Sequence, residues 1–408
     1  MALWGNPIKW EYTTYNFYNI SENAVTSSSV IYDHICPGAE SFIFLPDSLF
    51  PALYADKDKI NSHKGQIMEI VTQNMKEKED IKSVEFMDKS NIDLFPSSGS
   101  FTSNGIPFTF KVDIDYLYTY FYTKSLCYME RQQELEKVVI DMTHGINFLQ
   151  FIFLESIKYS CMVYSLRHRK NIVIEYYNSS PYSRGVPISI IMVRRLNISF
   201  KNVLSPLSRD FLNIYKSGKE SIINYYNNQG IDINPQYIRG SAIMVLSVTL
   251  PYLAYTLGQI DEIKIPAYDE ITMSIARNNN ITEITHEFPD YYKTYMENLA
   301  FFHALIAIKE FTGYKDGISV AKIYNALDLY FGRESDRIFV KTELGKITSG
   351  YKTDQEFSED KFSRNFKAHA GLLNNMYELK DKQIKFKTIN HNGNKINTDW
   401  VIRKLIGE

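Results

Sequence analysis

The chain has 408 residues, 44% hydrophobic and 23% charged, which is enough apolar content for two domains or one large one. A formal net charge of −2 excludes a globally basic surface, so any nucleic-acid contact must come from a local patch or a cleft. Three widely spaced cysteines, Cys36, Cys127 and Cys161, argue against a disulfide framework or a zinc site and fit a reducing cytosol.

The start, MALWGNPIKWEY, lacks a basic-then-apolar signal pattern, which predicts a cytoplasmic chain. Ser41–Leu45 reads as a short apolar strand ending at Pro46-Asp47. Lys64–Lys78 carries apolar residues at helical spacing. Asn91–Phe95 reads as a strand closed by the turn residues 96–99, and Asp115–Met129 as an aromatic-rich helix. Lys137–Ile140 is a buried-type strand, and 145–166 continues as a helix. Asn171–Tyr177 and Ile188–Phe200 are β-branched and strand-like. Strands alternating with helices predict a Rossmann-like α/β half with a mainly parallel sheet over residues 1–203.

From residue 204 onwards the pattern turns all-α. Helices are predicted over 207–226, 241–257, 291–312, 320–330 and 357–379. The apolar run 241–257 falls short of the ~20 residues a membrane span needs. With Pro251 inside it, it reads as a buried, kinked helix, and no membrane association is expected. No strand is expected between 207 and 379. A small terminal β-hairpin is predicted from Gln383–Ile389, the turn HNGN and Lys395–Trp400. The domain boundary is placed at 203/204, around Leu204-Ser205-Pro206.

The sharpest motif is Arg364-Asn365-Phe366-Lys367-Ala368-His369-Ala370-Gly371. RNA can be cut without metal because its own 2′-OH is the nucleophile. Histidine suits the proton transfers, and arginine offers a charged fork to the phosphate. Asn365 and His369, four residues apart, share a helix face. Arg364 and His369 sit roughly 140° apart on a straight helix. Either the long arginine wraps round, or the site combines residues of two subunits. An isolated Arg-x-x-x-x-His otherwise marks a solvated helix face.

In the N-terminal half, Lys137–Phe148 (KVVIDMTHGINF) takes a buried strand into Thr143-His144-Gly145 and then a helix. The C-terminal edge of a parallel sheet is where open α/β folds bind ligands, and a helix start attracts phosphates. Two readings stand for this loop. Thr143 and His144 meet a phosphate, or Thr143 caps the helix and His144 packs. Trp4-Gly5-Asn6-Pro7-Ile8-Lys9-Trp10 likewise offers either amides and a stacking surface to a nucleotide or two core tryptophans. The basic stretch 167–170 reads as a solvated turn or a phosphate contact. No GxGxxG follows a strand, so no dinucleotide cofactor is expected.

RNFKAHAG resembles the Arg-x-x-x-x-His signature of HEPN ribonucleases, in the RNxxAHxG form of CRISPR-associated enzymes. WGNPxxW, LPD (45–47), the Gly99 turn, DxTHGxNF (141–148) and YNSSPY (177–182) resemble, in order, the CARF–HEPN ribonucleases of the Csx family, accessory to type III CRISPR systems. One departure is a very short first strand, since only Met1, Ala2 and Leu3 precede WGNP.

The resemblance implies a CARF ligand-sensing domain over 1–203 and a helical HEPN domain over 204–408. It implies a homodimer or higher oligomer. It also implies a cyclic oligoadenylate, usually cyclic tetra-adenylate, as allosteric activator, bound by Gly5, Asn6, Thr143, His144, Gly145 and Asn147. The implied activity is metal-independent cleavage of single-stranded RNA, with no cofactor. Arg364 would stabilise the phosphate, His369 transfer protons and Asn365 support them. Whether the sensing pocket degrades its own ligand stays open. The competing reading is a sensor whose helical half is non-catalytic and acts through a partner. A transcription regulator would need a basic recognition helix, and none is evident in 206–408.

Overall fold

Strand β4 (Ser41–Pro46, SFIFLP) is buried at every position, as an inner strand covered on both faces must be. The structure, a computed structural model, describes residues 1–55, 63–145, 147–228, 235–259, 271–278, 281–312, 317–350, 361–373 and 376–407. Around β4 lie β1 (Ala2–Leu3), β2 (Thr13–Phe17), β3 (Ile20–Ala24), β5 (Ser90–Phe95), β8 (Lys137–Asp141), β9 (Ile172–Ser179) and β10 (Ile188–Ile198). They form an eight-stranded sheet in the order β3-β2-β10-β9-β8-β1-β4-β5. The β1/β4, β1/β8, β4/β5, β8/β9 and β2/β10 pairs are parallel, and β2/β3 is antiparallel. A mainly parallel sheet, expected from the alternation of elements, is what the residues form.

Period-two alternation assigns the two faces. Ala2, Trp4, Ile43, Leu45 and Ile92 pack on α2 (His63–Glu77) and α3 (Ile81–Lys89) through Ile67, Val71, Met75, Val84 and Phe86. Phe42 and Phe44 point the other way. They meet Tyr128 and Phe121 of α4 (Ile114–Glu130) and Phe153 of α5 (Asn147–His168). Helix α1 (Ser27–Ile35) follows β3 and is capped by Thr26, whose hydroxyl accepts from Ser29 N.

One expectation is overturned between 207 and 379. Strands β11 (Thr272–Asn278) and β12 (Ile281–Glu287) lie there and join β6 (Gly99–Ser103) and β7 (Ile106–Lys111) in a second sheet, order β11-β12-β7-β6. The pairing β12/β7 is parallel. Their inward face is thin: Ile284 is buried only because Phe108, Phe110 and Tyr54 arrive from elsewhere in the chain. Short polar strands with so little apolar signal read as loops.

By its contacts the chain forms two compact units. The first comprises Met1–Lys158, Ile172–Asn197 and Asp269–Pro289, and holds both sheets just described. The second comprises Tyr159–Asn171, Ile198–Tyr268 and Asp290–Glu408. It contains α6 (Leu204–Asn228), α7 (Pro235–Leu246), α8 (Leu250–Gln259), α9 (Met296–Thr312), α10 (Val320–Tyr330), α11 (Glu334–Thr348), α12 (Phe362–Ala368) and α13 (Thr398–Ile406).

The kinked helix expected over 241–257 is two helices instead. The chain breaks at Val248, whose φ is +55°, and Pro251 sits in the first turn of α8, where it costs no hydrogen bond. Of the helix expected over 357–379, residues 357–360, 374 and 375 lie outside the described residues. The remainder is helical only in α12. Ala370 (φ +50°) and Gly371 (φ +79°) stop it. A Cβ at 371 would lie 3.0 Å from Tyr252 and 3.1 Å from Phe366, so the glycine is required by both φ and packing.

The terminal hairpin is also shorter than expected. β16 (Ile389–His391) pairs with β17 (Asn394–Ile396) around Asn392-Gly393, both at positive φ as a type I′ turn demands. Gln383–Phe386 (β15) pairs instead with β13 (Ile318–Ser319) and β14 (Tyr377–Lys380). Trp400 belongs to α13, capped by Asn397. No helix among the described residues is long and apolar enough to cross a membrane.

Candidate functional sites

The first site lies at the C-terminal ends of β1, β8 and β9. β8 ends in Asp141, a buried carboxylate that organises the loop after it. Its Oδ2 accepts from the hydroxyls of Ser27 (2.7 Å) and Ser28 (2.5 Å), and its Oδ1 accepts from Thr143 N–H (2.9 Å). Ser28 Oγ in turn accepts from Trp4 Nε1 (2.9 Å). Trp4 is therefore a core residue. Trp10 packs edge-on against it and lies flat on His144, ring centroids 3.9 Å apart.

His144 Nε2 accepts from the N–H of Ser27 (3.2 Å), at the start of α1, and lies 3.2 Å from the Tyr15 hydroxyl. A backbone amide can only donate, so Nε2 carries no proton. Burial pushes the imidazole down to about 4 despite the pull of Asp141. At neutral pH His144 is an uncharged strut.

Loop residues 5 and 6 meet the same loop. Gly5 N–H donates to His144 O (2.7 Å), and Asn6 Oδ1 accepts from Ile8 N–H (3.2 Å). A Cβ on Gly145 would lie 2.8 Å from Gln150 Cγ and 3.2 Å from Leu3 O, so a side chain there would push the loop off β1. Asn147 opens α5, and its side chain lies outside the described part.

Beside this loop is a cleft of about 410 Å³, lined among others by Lys9, Trp10, Thr143, His144, Ser180 and Tyr182. Of the expected residues, Thr143 and His144 line it, whereas Gly5, Asn6 and Gly145 shape the loop behind it. Thr143 Oγ1 is buried without a hydrogen-bond partner. Such an orphan costs free energy unless a ligand satisfies it.

A larger cavity, about 520 Å³, lies towards the opposite edge beside Met1, Phe42 and Val138, where a two-residue β1 leaves a gap between β4 and β8. Its lining is mostly apolar, which suits it poorly to an anion. The basic stretch 167–170 ends α5, with His168 stacked on Tyr164.

The second site is built on α11 and α12. Phe362 and Phe366 anchor α12 on Trp400 and Tyr252, which leaves Arg364 exposed and Asn365 buried. The helix ends at Ala368, and His369 occupies its C-cap with φ −121° and ψ 27°. Asn365 meets His369 through its backbone carbonyl, which accepts His369 N–H (3.1 Å). Because His369 has left the helical path, its angular offset from Arg364 is no longer set by helix periodicity. The imidazole is half-buried, and its Nδ1 lies 3.0 Å from Oε2 of Glu343. The other Glu343 oxygen, Oε1, accepts from Lys346 Nζ (2.7 Å).

Comparison with known proteins bears on the first of these sites. Residues 1–181 match the CARF domain of CRISPR system endoribonuclease Csx1. The chain is also 23% identical to the CRISPR system endoribonuclease Csx1 of Methanocaldococcus jannaschii over 419 aligned positions, which cover 93% of this chain and 86% of that protein. The CARF match takes in Thr143, His144, Asp141 and all but the far rim of the cleft. It does not reach Arg364 or His369.

Sequence reasoning passes over Asp141 as an anchor, Ser27 and Ser28, the Trp10 ring as a brace for His144, and Glu343. Ser27 and Ser28 stand more than a hundred residues from Asp141 and carry no motif of their own. The one available signal was the aspartate at the end of an otherwise apolar strand.

The CARF-matching unit should be acid-labile. The unfolded His144 takes up a proton near pH 6.5, whereas the folded one resists down to about 4. Between these values the unfolded chain binds more protons, so stability falls as pH falls through that window. Thermal unfolding at pH 7 and pH 4.5 is expected to show a smaller acid-induced drop in His144→Asn than in the parent chain. An equal drop in both would show that His144 does not carry the effect.

Proposed function

We propose that the chain is a metal-independent endoribonuclease of type III CRISPR defence, switched on by a cyclic oligoadenylate, with cyclic tetra-adenylate as the first choice. The observation that carries this reading is His369, half-buried and held by Glu343, in the same short motif as the exposed Arg364. The relative named a CRISPR system endoribonuclease, aligned over most of the chain, supports it.

In this reading His369 takes the proton of the RNA 2′-OH as that oxygen attacks the adjacent phosphorus. The P–O5′ bond breaks, giving a 2′,3′-cyclic phosphate and a 5′-hydroxyl that receives a proton. Arg364 meets the charge that builds on the phosphorane oxygens. Asn365 supports the pair through its carbonyl bond to His369 N–H.

The nucleotide occupies the cleft at the end of β8. Thr143 Oγ1 gains its missing partner there, and Lys9 is the cation for phosphate. Cyclic oligoadenylates of even ring size have two-fold symmetry, so a homodimer in the cytoplasm presents two such clefts to one ring. Differential binding to two states of the dimer then shifts the population towards the cutting form.

The test is cleavage of labelled single-stranded RNA in excess chelator, with and without cyclic tetra-adenylate. Cleavage that rises at least tenfold with nucleotide is the expected result. Nucleotide binding with no cleavage at any concentration would leave a sensor rather than an enzyme. Cleavage indifferent to nucleotide would remove the sensing role.

A further inference from the structure

We infer that Glu343 is a positioning residue for His369, fixing which imidazole nitrogen faces the reacting atoms; this rests on the ribonuclease reading above. The starting observation is a helix position of the wrong chemistry. Along α11 the buried stripe is Val340, Glu343, Leu344 and Ile347, spaced as one face of a helix. Apolar residues fill three of the four places. Glu343 fills the other and is only 5% exposed.

A carboxylate is costly to bury unless both oxygens are satisfied. Here Oε1 takes Lys346 Nζ at 2.7 Å and Oε2 lies 3.0 Å from His369 Nδ1. Lys346 is three residues further along the same helix, so it pins the carboxylate without reaching across the fold. Tyr377 is also close: its hydroxyl is pushed up to about 12, first by burial and then by the Glu343 charge, so it stays protonated. Lys346 Nζ thus donates to one Glu343 oxygen and leaves the other facing His369 Nδ1.

An ionised carboxylate only accepts. The neutral imidazole that meets it must carry its proton on Nδ1, which places the lone pair on Nε2. That nitrogen then takes the proton of the 2′-OH. When the ring is protonated, Nε2–H gives a proton to the leaving 5′-oxygen. Without Glu343 the Nδ1–H loses this acceptor and the other tautomer, which has no lone pair at the required place, becomes populated. The same division between a proton-transferring nitrogen and one held by a carboxylate operates in the serine hydrolase triad.

The experiment uses the full chain and two variants. Glu343→Leu keeps the volume and completes the apolar stripe, so the fold is retained; Glu343→Gln keeps an acceptor but no charge. With nucleotide saturating, kcat for RNA cleavage is expected to fall roughly 100-fold or more in Glu343→Leu, with KM within about twofold. Glu343→Gln should fall in between. In ¹⁵N-histidine-labelled protein, the His369 signals should report the Nδ1–H tautomer in the parent chain and a mixture in Glu343→Leu. Parental kcat in Glu343→Leu, or an unchanged tautomer, would overturn the assignment. If the parent chain itself cuts no RNA, the ribonuclease reading fails instead, and the tautomer comparison still decides whether Glu343 sets the imidazole.

Discussion

His369→Ala is expected to lower RNA cleavage by about 10³-fold while leaving nucleotide binding at its parental affinity. The size follows from the proposed mechanism, in which His369 carries protons in both bond-making and bond-breaking. The selectivity follows from where the residue sits. It caps the end of α12, and the helix is anchored by Phe362 and Phe366 rather than by the imidazole. Glu343 loses the partner of Oε2 but keeps Lys346 on Oε1, so its charge stays paired and the cost falls locally on stability rather than on the cleft. The described residues that line the cleft beside Thr143 fall within 9–15, 143–144 and 178–188. Cleavage assays and nucleotide titration on the same preparation check both halves. Activity above a tenth of parental would remove His369 from the chemistry, and lost nucleotide affinity would show that the two sites are not separate.

Asp141→Ala should have the largest effect on the N-terminal unit. Three donors converge on that carboxylate, from Ser27, Ser28 and the Thr143 amide, and all are buried or half-buried. Bonds to a charged acceptor are the stronger kind, and each donor left without a partner adds a penalty. A loss of about 3 kcal/mol is expected. For a unit of this size that is on the order of 10 °C in Tm. Losing the Thr143 anchor also frees the loop that lines the cleft, so the nucleotide concentration for half-maximal activation should rise, with full activity recovered at saturation. Calorimetry and an activation curve read the two consequences separately. An unchanged Tm would show that the serines and Thr143 find other acceptors.

Much of this architecture was legible in the chain itself. Apolar runs such as Ser41–Leu45 and Lys137–Ile140 can only be inner strands, because a strand buried on both faces has no polar side to show. The helical spacing in 64–78 and 115–129 gave α2 and α4 nearly to the residue. The Arg364–His369 and Asp141–Gly145 segments stood out because their residue types suit chemistry rather than packing.

Other features belonged to the tertiary structure. β11 and β12 carry too little apolar surface to announce themselves, and become strands only when Phe108 and Phe110 cover Ile284. The turn that ends α12 needs glycine at 371, where a Cβ would meet Tyr252, a neighbour more than a hundred residues away. Glu343 carries no motif of its own, and only the fold buries it against His369. Local patterns are fixed by the chain's own periodicity, so sequence determined where most helices and strands run. Charge pairing and tautomer depend on distance and burial between remote residues, so only the folded chain decided that His144 is an uncharged strut and that His369 is held by a carboxylate.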